Sequence, residues 1–157
     1  MTSRALNLVL ALLIGLAALG CAKSETPEQR VRALLADAEE AAEKRDLAKL
    51  RGYISPHYKD EDGRDRHAMD GILRLYLLRN DGIHMTTRIE SVIAPQPQRV
   101  EAVVYVAMAA RPVKSADELR SFNTQLYRFE LGFAEEHKTW RVVRAAWRPT
   151  ALTDFFP

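Results

Sequence analysis

Three regimes of hydrophobic patterning follow one another along the chain. From Ala5 to Leu19 every residue except Asn7 is apolar or glycine, and none is charged. From Thr26 to about Asn80 the apolar residues recur at helical spacing, and from Ile83 to Arg148 they alternate with polar ones. The change of period from 3.6 to 2 predicts a helical half followed by a sheet.

Thr26-Pro27-Glu28-Gln29 has the form of a helix start, with Thr26 as N-cap, Pro27 at the first helical position and Gln29 closing a capping box. Val31, Leu34, Leu35, Ala38 and Ala42 then make one apolar stripe, while Glu39, Glu40, Glu43, Lys44 and Arg45 fall mostly on the other side. Asp46 caps a second, shorter helix that turns Leu47, Leu50 and Ile54 inward. It ends at Ser55-Pro56, because a residue before proline is pushed out of helical backbone. The polar stretch from His57 to His67 predicts a short strand, a turn at Gly63 and a third helix capped by Asp65. In that helix Met69, Ile72, Leu73, Tyr76 and Leu77 form the inward stripe, and Asn80-Asp81-Gly82 supplies the stop.

In the second half Ile83, Met85, Thr87, Ile89 and Ile93 predict one face of a strand that ends at Pro95-Gln96-Pro97-Gln98. Val100 to Ala110 is apolar on both faces, so this strand needs cover from two sides. A polar loop over 114–120 leads to Tyr127, Phe129, Leu131 and Phe133, which alternate with Arg128 and Glu130. Glu135 to Lys138 is a turn and Thr139 to Arg148 the last strand, on which Trp140 and Trp147 take opposite faces if no bulge intervenes. The expected fold is α+β: three N-terminal helices packed on one face of an antiparallel sheet of four long strands plus one short strand.

The order and spacing of these pieces resemble the nuclear transport factor 2-like superfamily. The resemblance rests on the amphipathic first helix, on Glu43-Lys44-Arg45-Asp46-Leu47 leading to Ile54-Ser55-Pro56-His57-Tyr58-Lys59-Asp60 and Gly63, and on the hairpin from Tyr127-Arg128-Phe129-Glu130-Leu131 to Trp140-Arg141-Val142-Val143 and Trp147. It implies a strongly curved sheet wrapped round the helices as a cone, with a pocket inside and frequent dimerisation through the sheet. The superfamily holds both small acid–base enzymes and members that only bind or scaffold. No catalytic position of those enzymes matches this chain residue by residue, so none is assigned.

The apolar run at the start reads as the core of an export signal behind Arg4, too short for a permanent span, which needs about 20 apolar residues. Its end, Leu16-Ala17-Ala18-Leu19-Gly20-Cys21, resembles a bacterial lipoprotein signal, which implies that Cys21 is acylated and becomes the new N-terminus. An ordinary cleavage that leaves a free thiol stays open as the alternative. The expected organisation is a signal peptide over 1–20, the lipidated cysteine and a short linker over 21–26, the folded domain over 27–148 and a C-terminal tail over 149–157. Ala22 after the cysteine favours the outer membrane facing the periplasm, and a linker of about four residues keeps the domain within roughly 15 Å of the lipid. Two acyl signals give stable anchoring where one is marginal. Cys21 is the only cysteine, so no disulfide is available and stability rests on packing.

Charge changes the picture little. Once residues 1–20 are removed, 22 basic residues face 21 acidic ones, interleaved along the chain. That excludes the basic stripe of a nucleic-acid binder and a polybasic membrane patch. The candidate pocket residues are Tyr58 and Asp60, on one face of the short strand, with Tyr76 on the third helix and Tyr127 on the third long strand. Together they could bring a carboxylate and phenols to a pocket, or serve as core aromatics and a solvated acid. Neither a cofactor nor a catalytic residue is assigned. Asp60-Glu61-Asp62-Gly63 does not fit a calcium loop, since Tyr58 and Met69 would occupy ligand positions. The four histidines, His57, His67, His84 and His137, lack zinc spacing. The expected partners are the membrane through Cys21, a second copy or an envelope protein through the sheet face, with Tyr105, Val103 and one tryptophan as its apolar patch, and a small apolar ligand in the pocket. The leading expectation is a lipid-anchored binding or scaffolding domain without catalysis. A small cofactor-independent enzyme of isomerase, dehydratase or cyclase type is the alternative.

Overall fold

The computed structural model describes residues 24–112, 118 and 125–155. The signal peptide expected over 1–20, Cys21 and the polar loop expected over 114–120 lie outside the described residues, apart from Glu118. Three helices, α1 (Pro27–Glu43), α2 (Leu47–Gly52) and α3 (Arg66–Arg79), precede four strands, β1 (His84–Gln96), β2 (Arg99–Ala109), β3 (Gln125–Glu136) and β4 (Thr139–Pro149). A one-turn helix, α4 (Leu152–Phe155), follows. The strands form an antiparallel meander in the order β1-β2-β3-β4.

The helix starts are set by their caps. Thr26 and Gln29 bond reciprocally across the first turn of α1, satisfying backbone donors that the helix leaves open. Asp46 accepts from Lys49 N at 2.9 Å and Asp65 from Ala68 N at 2.9 Å, doing the same for α2 and α3. Gly63, with φ +79°, makes the turn before α3 in backbone that a side chain would strain. The short strand expected around His57 to Asp60 is not a strand. The segment leans on the edge of β4 through the Ile54–Val142 bridge and through Lys59 N, which donates to the Val143 carbonyl at 3.1 Å, while Lys59 bridges Asp65 across its own turn and Pro56, just before the segment, lacks a donor.

The main core lies between α1 and the sheet, where Val31, Val100, Val104, Phe133 and Trp140 are buried together. A second part joins Ile54, Tyr58 and Ala145 to Met69 and Leu73 of α3. Ile72 does not complete the inward stripe. It is 38% exposed and shares the outer flank of α3 with Leu75 and Leu78, because the sheet covers one side of this helix only.

Two bulges correct the strand readings. In β1 the pairing jumps from Ile89–Val104 to Ser91–Val103, leaving Glu90 as the extra residue. The alternation therefore inverts: Val92 joins the core and Ile93, expected on the inner face, is 54% exposed. In β4 the jump falls between Gly132–Arg144 and Phe133–Val142, leaving Val143 extra. Trp140 and Trp147 consequently share the helix-covered face instead of dividing between two.

Both faces of β2 are covered, as its composition demands. Tyr105 and Ala107 on the outer face lie under Leu152 and Phe155, so the chain's own C-terminal turn supplies the second cover. Arg88 stacks its guanidinium 4.3 Å from the centre of the Tyr105 ring and donates to the Asp154 carbonyl at 2.5 Å. Tyr105 and both tryptophans are thereby withdrawn from the apolar outer patch expected of them. Charged side chains occupy the outer face beside Tyr105, with Arg128 pairing with Glu90 and Glu130.

Candidate functional site

The turn before α3 and the bulge in β4 together build a polar cluster at the far end of the helix-covered face. Asp60 sits with its side chain only 1% exposed. Its Oδ2 accepts from Arg64 Nε at 2.6 Å and its Oδ1 from the Arg64 backbone N at 2.8 Å. Burial works to raise the Asp60 pKa, but the bonds and charge of Arg64 outweigh it and hold the carboxyl below its usual range. Tyr58, 3% exposed, reaches Asp60 Oδ2 at 3.5 Å, and burial first, then the charge of Asp60, pushes its pKa up to about 12. The Arg64 guanidinium lies 4.4 Å from the centre of the Trp147 ring and also pairs with Asp62.

Tyr127 lies at the other end of the same strip, with Tyr76 of α3 within electrostatic reach of it. Burial, then the neighbouring Tyr127, raises the Tyr76 pKa. Between Tyr127 and the Asp60 cluster run Phe129 and Trp147, with Tyr127 to Phe129 and Phe129 to Trp147 both 6.2 Å between ring centres. The structure thus brings Tyr58 to Asp60, and places Tyr127 beyond the rings of Phe129 and Trp147 with no hydrogen bond or ring contact to Tyr76 among the described residues. Arg64, Phe129 and Trp147 are members of this cluster that the sequence did not disclose as such. The i, i+4 spacing of Asp60 and Arg64 was the one local signal that could have done so.

This carboxylate is a latch in form. Asp60→Asn should lower the thermal midpoint at pH 7, with the deficit shrinking as the pH falls. The sign follows from the depressed pKa: the charge contributes stability fully above the ordinary carboxylate value and loses it as the pH drops through the folded one, below about pH 4. Thermal melts of both proteins at pH 7, 4 and 3 check this, and curves that stay parallel would contradict it. Among the described residues no three metal-ligating side chains converge. The acidic run Asp60-Glu61-Asp62 instead spends its charges on Arg64 and Arg144.

A separate groove of about 430 Å³ opens between α1 and the β3–β4 turn. It is lined by Arg30, Ala33, Leu34 and Asp37 of α1, by Tyr53, and by Lys138, Thr139 and Trp140. Sequence reading missed it, because its residues come from three elements and share no spacing. A smaller cleft of about 110 Å³ lies at Glu43, His84 and Met85, where Glu43 accepts from the Met85 backbone N at 3.0 Å.

Solved structures of the same shape are numerous. A Shewanella oneidensis protein of unknown function, described as nuclear transport factor 2-like, matches at a TM-score of 0.58 with 15% identity, over 78% of this chain and 98% of that one. The fold is nuclear transport factor 2-like. A Novosphingobium aromaticivorans protein provisionally named a scytalone dehydratase matches at 0.61 with 12% identity, over 78% of this chain and 83% of its own. The Bdellovibrio bacteriovorus protein Bd1075 matches at 0.62 with 10% identity, over 78% of this chain, which spans 40% of that protein's length. No protein-family profile matches the sequence, and no curated protein does. Identities this low establish the nuclear transport factor 2-like fold and leave its chemistry to the residues of this chain.

Proposed function

We propose that this chain is a binding or scaffolding domain of the bacterial envelope, without catalytic activity, tethered by acylated Cys21 to the outer membrane on its periplasmic side. The state of Asp60 carries the non-catalytic part. Both its oxygens are taken up by Arg64, and stacked rings separate it from Tyr127, so the buried acid of this cluster is already committed. The tether is supported by the uncharged run that ends at Cys21, and by the exposed residues Ser24 to Thr26 leading straight into a capped helix. No helix among the described residues is long and apolar enough to cross a membrane.

Replacing Cys21 with serine should move the protein from the membrane pellet to the soluble fraction in cells that retain their lipoprotein-processing enzymes. The wild-type mass should exceed that of the chain from residue 21 by a diacylglyceryl and an acyl group. A serine variant that still pellets after its first 20 residues have been removed, or a wild-type mass with no lipid on it, removes the tether from the proposal. An isomerase-, dehydratase- or cyclase-type alternative built on Asp60 requires that carboxylate to come free of Arg64. It would be favoured if Asp60→Asn left stability untouched while abolishing turnover of a supplied substrate.

A further inference from the structure

The groove beside α1 stands apart from the cluster around Asp60, and its chemistry is one-sided. Ala33, Leu34 and Trp140 give it an apolar wall. Asp37 is the one carboxylate among its lining residues and is already spent, with one oxygen on Lys49 Nζ and the other on the Tyr53 hydroxyl. The hydrogen bond from Lys49, and then that from Tyr53, hold the Asp37 carboxyl below its usual range, so it stays charged and occupied. The charged and N–H groups left over are donors. Lys138 makes no ion pair with a described residue, and Arg30 commits only Nη1, to Glu135 at 3.3 Å. Trp140 is 6% exposed, and its Nε1–H is buried with no acceptor among the described residues. With no partner to pin it, this N–H reports sensitively on what lies against the ring.

The position of Lys138 adds to this. His137 and Lys138 form the two-residue turn between β3 and β4 with φ of +52° and +65°, backbone that Asn-Gly adopts with less strain. The strained turn sets a lysine at the groove where a looser sequence would set none. The volume of about 430 Å³ suits a small molecule.

We propose that this groove binds a small amphipathic anion, its carboxylate or phosphate head held by Lys138 and Arg30 and its apolar body lying along Ala33, Leu34 and the Trp140 ring. This deepens the binding-domain reading and rests on it. The anion is either a free solute or the head of a membrane lipid, since the groove begins one turn into the helix that follows the tether. Both carry the same chemistry.

Two tryptophans give two indole signals, and Trp147, in the other cluster, is the internal control. The test uses the full-length protein, purified from cells with ¹⁵N-labelled tryptophan and presented with phosphatidylcholine nanodiscs. Hexanoate and hexyl phosphate should move the Trp140 N–H resonance saturably, with Kd on the order of 1 mM, while Trp147 stays still. If the natural source is a lipid head, replacing part of the phosphatidylcholine with phosphatidylglycerol should move Trp140 with no solute added. Lys138→Gln should weaken either response by roughly tenfold, the size of one lost charge-assisted hydrogen bond. Lys138 is exposed, so this variant keeps the fold, and an unchanged Trp147 signal verifies it. The proposal falls if Trp140 is unmoved by both anions and by anionic lipid. It falls equally if hexanol acts as well as hexanoate, or if Lys138→Gln binds like the wild type. None of these failures would alter the outcome of the Cys21→Ser fractionation, so loss of the groove and loss of the tether are told apart.

Discussion

Replacing Phe155 with alanine should destabilise the domain by about 3–5 kcal/mol, the range for emptying a large buried aromatic site. The ring is 2% exposed and closes over Tyr105 and Ala107 on the outer face of the sheet, with Leu152 beside it. The backbone around it is tied down, since Thr150 N donates to the Leu126 carbonyl at 3.0 Å and Thr150 and Ala151 both donate to Asp154. The truncated side chain would therefore leave a void that the short helix cannot collapse into without losing these bonds. A loss of this size is a large share of the 5–15 kcal/mol that typically separates folded from unfolded states. Urea unfolding followed by circular dichroism measures it. Size-exclusion chromatography should show self-association as well, because uncovering Tyr105 and Ala107 creates an apolar patch on a face otherwise rich in charge. A variant within about 1 kcal/mol of wild type and still monodisperse would mean that the tail is an ornament.

Inserting one alanine after Arg144 should do more damage than any single substitution in β4. With one residue added to the regular alternation beyond the bulge, Ala145 and Trp147 would turn to the outer face and the charged side chain of Arg148 would be carried toward the helices. Trp147 would lose its stacking on Phe129 and its contact with Arg64, and Ala145 its place beside Tyr58 and Ile54. Burying unpaired guanidinium groups is costly in its own right. The expected result is a chain without cooperative thermal unfolding, its tryptophan emission shifted toward that of solvent-exposed indole. Val143→Ala, which keeps the bulge, should cost less than about 1.5 kcal/mol, since Val143 is the bulge residue outside the core clusters. A folded insertion variant with blue-shifted emission would show that the strand can slide without regard to which side chains it buries.

The parts of the fold that could be read from the sequence are those written locally. Thr26 with Gln29, Asp46 and Asp65 each announce a helix within four residues, because the capping side chain and the donor it satisfies are neighbours in the chain. The alternation of Tyr127, Phe129, Leu131 and Phe133 is equally local. The bulges at Glu90 and Val143 were not legible, since neither carries a glycine and the flanking residues Val92-Ile93 and Val142-Val143 are apolar in both phases. Only the pairing partner decides which of them turns inward. The same limit applies to function. Tyr58 and Asp60 could be paired from a two-residue spacing, yet the arginine that neutralises the carboxylate was seen only in three dimensions. The groove at Trp140 draws on Arg30, Tyr53 and Lys138, which nothing short of the folded chain brings together.

The meander of strands also sets an order of events in time. Each hairpin can zip as soon as its own two strands exist, because its contacts are close in sequence. Helix α1 has no such freedom: Val31 is buried in the same cluster as Phe133 and Trp140, and the ion pair from Arg30 to Glu135 spans 105 positions. The first helix made is therefore the last to be fully seated: β1 and β2 offer it part of its cover, and β4 supplies the rest. A protein built this way stays open while it is being threaded from its N-terminal end. It closes only when nearly its whole length has arrived.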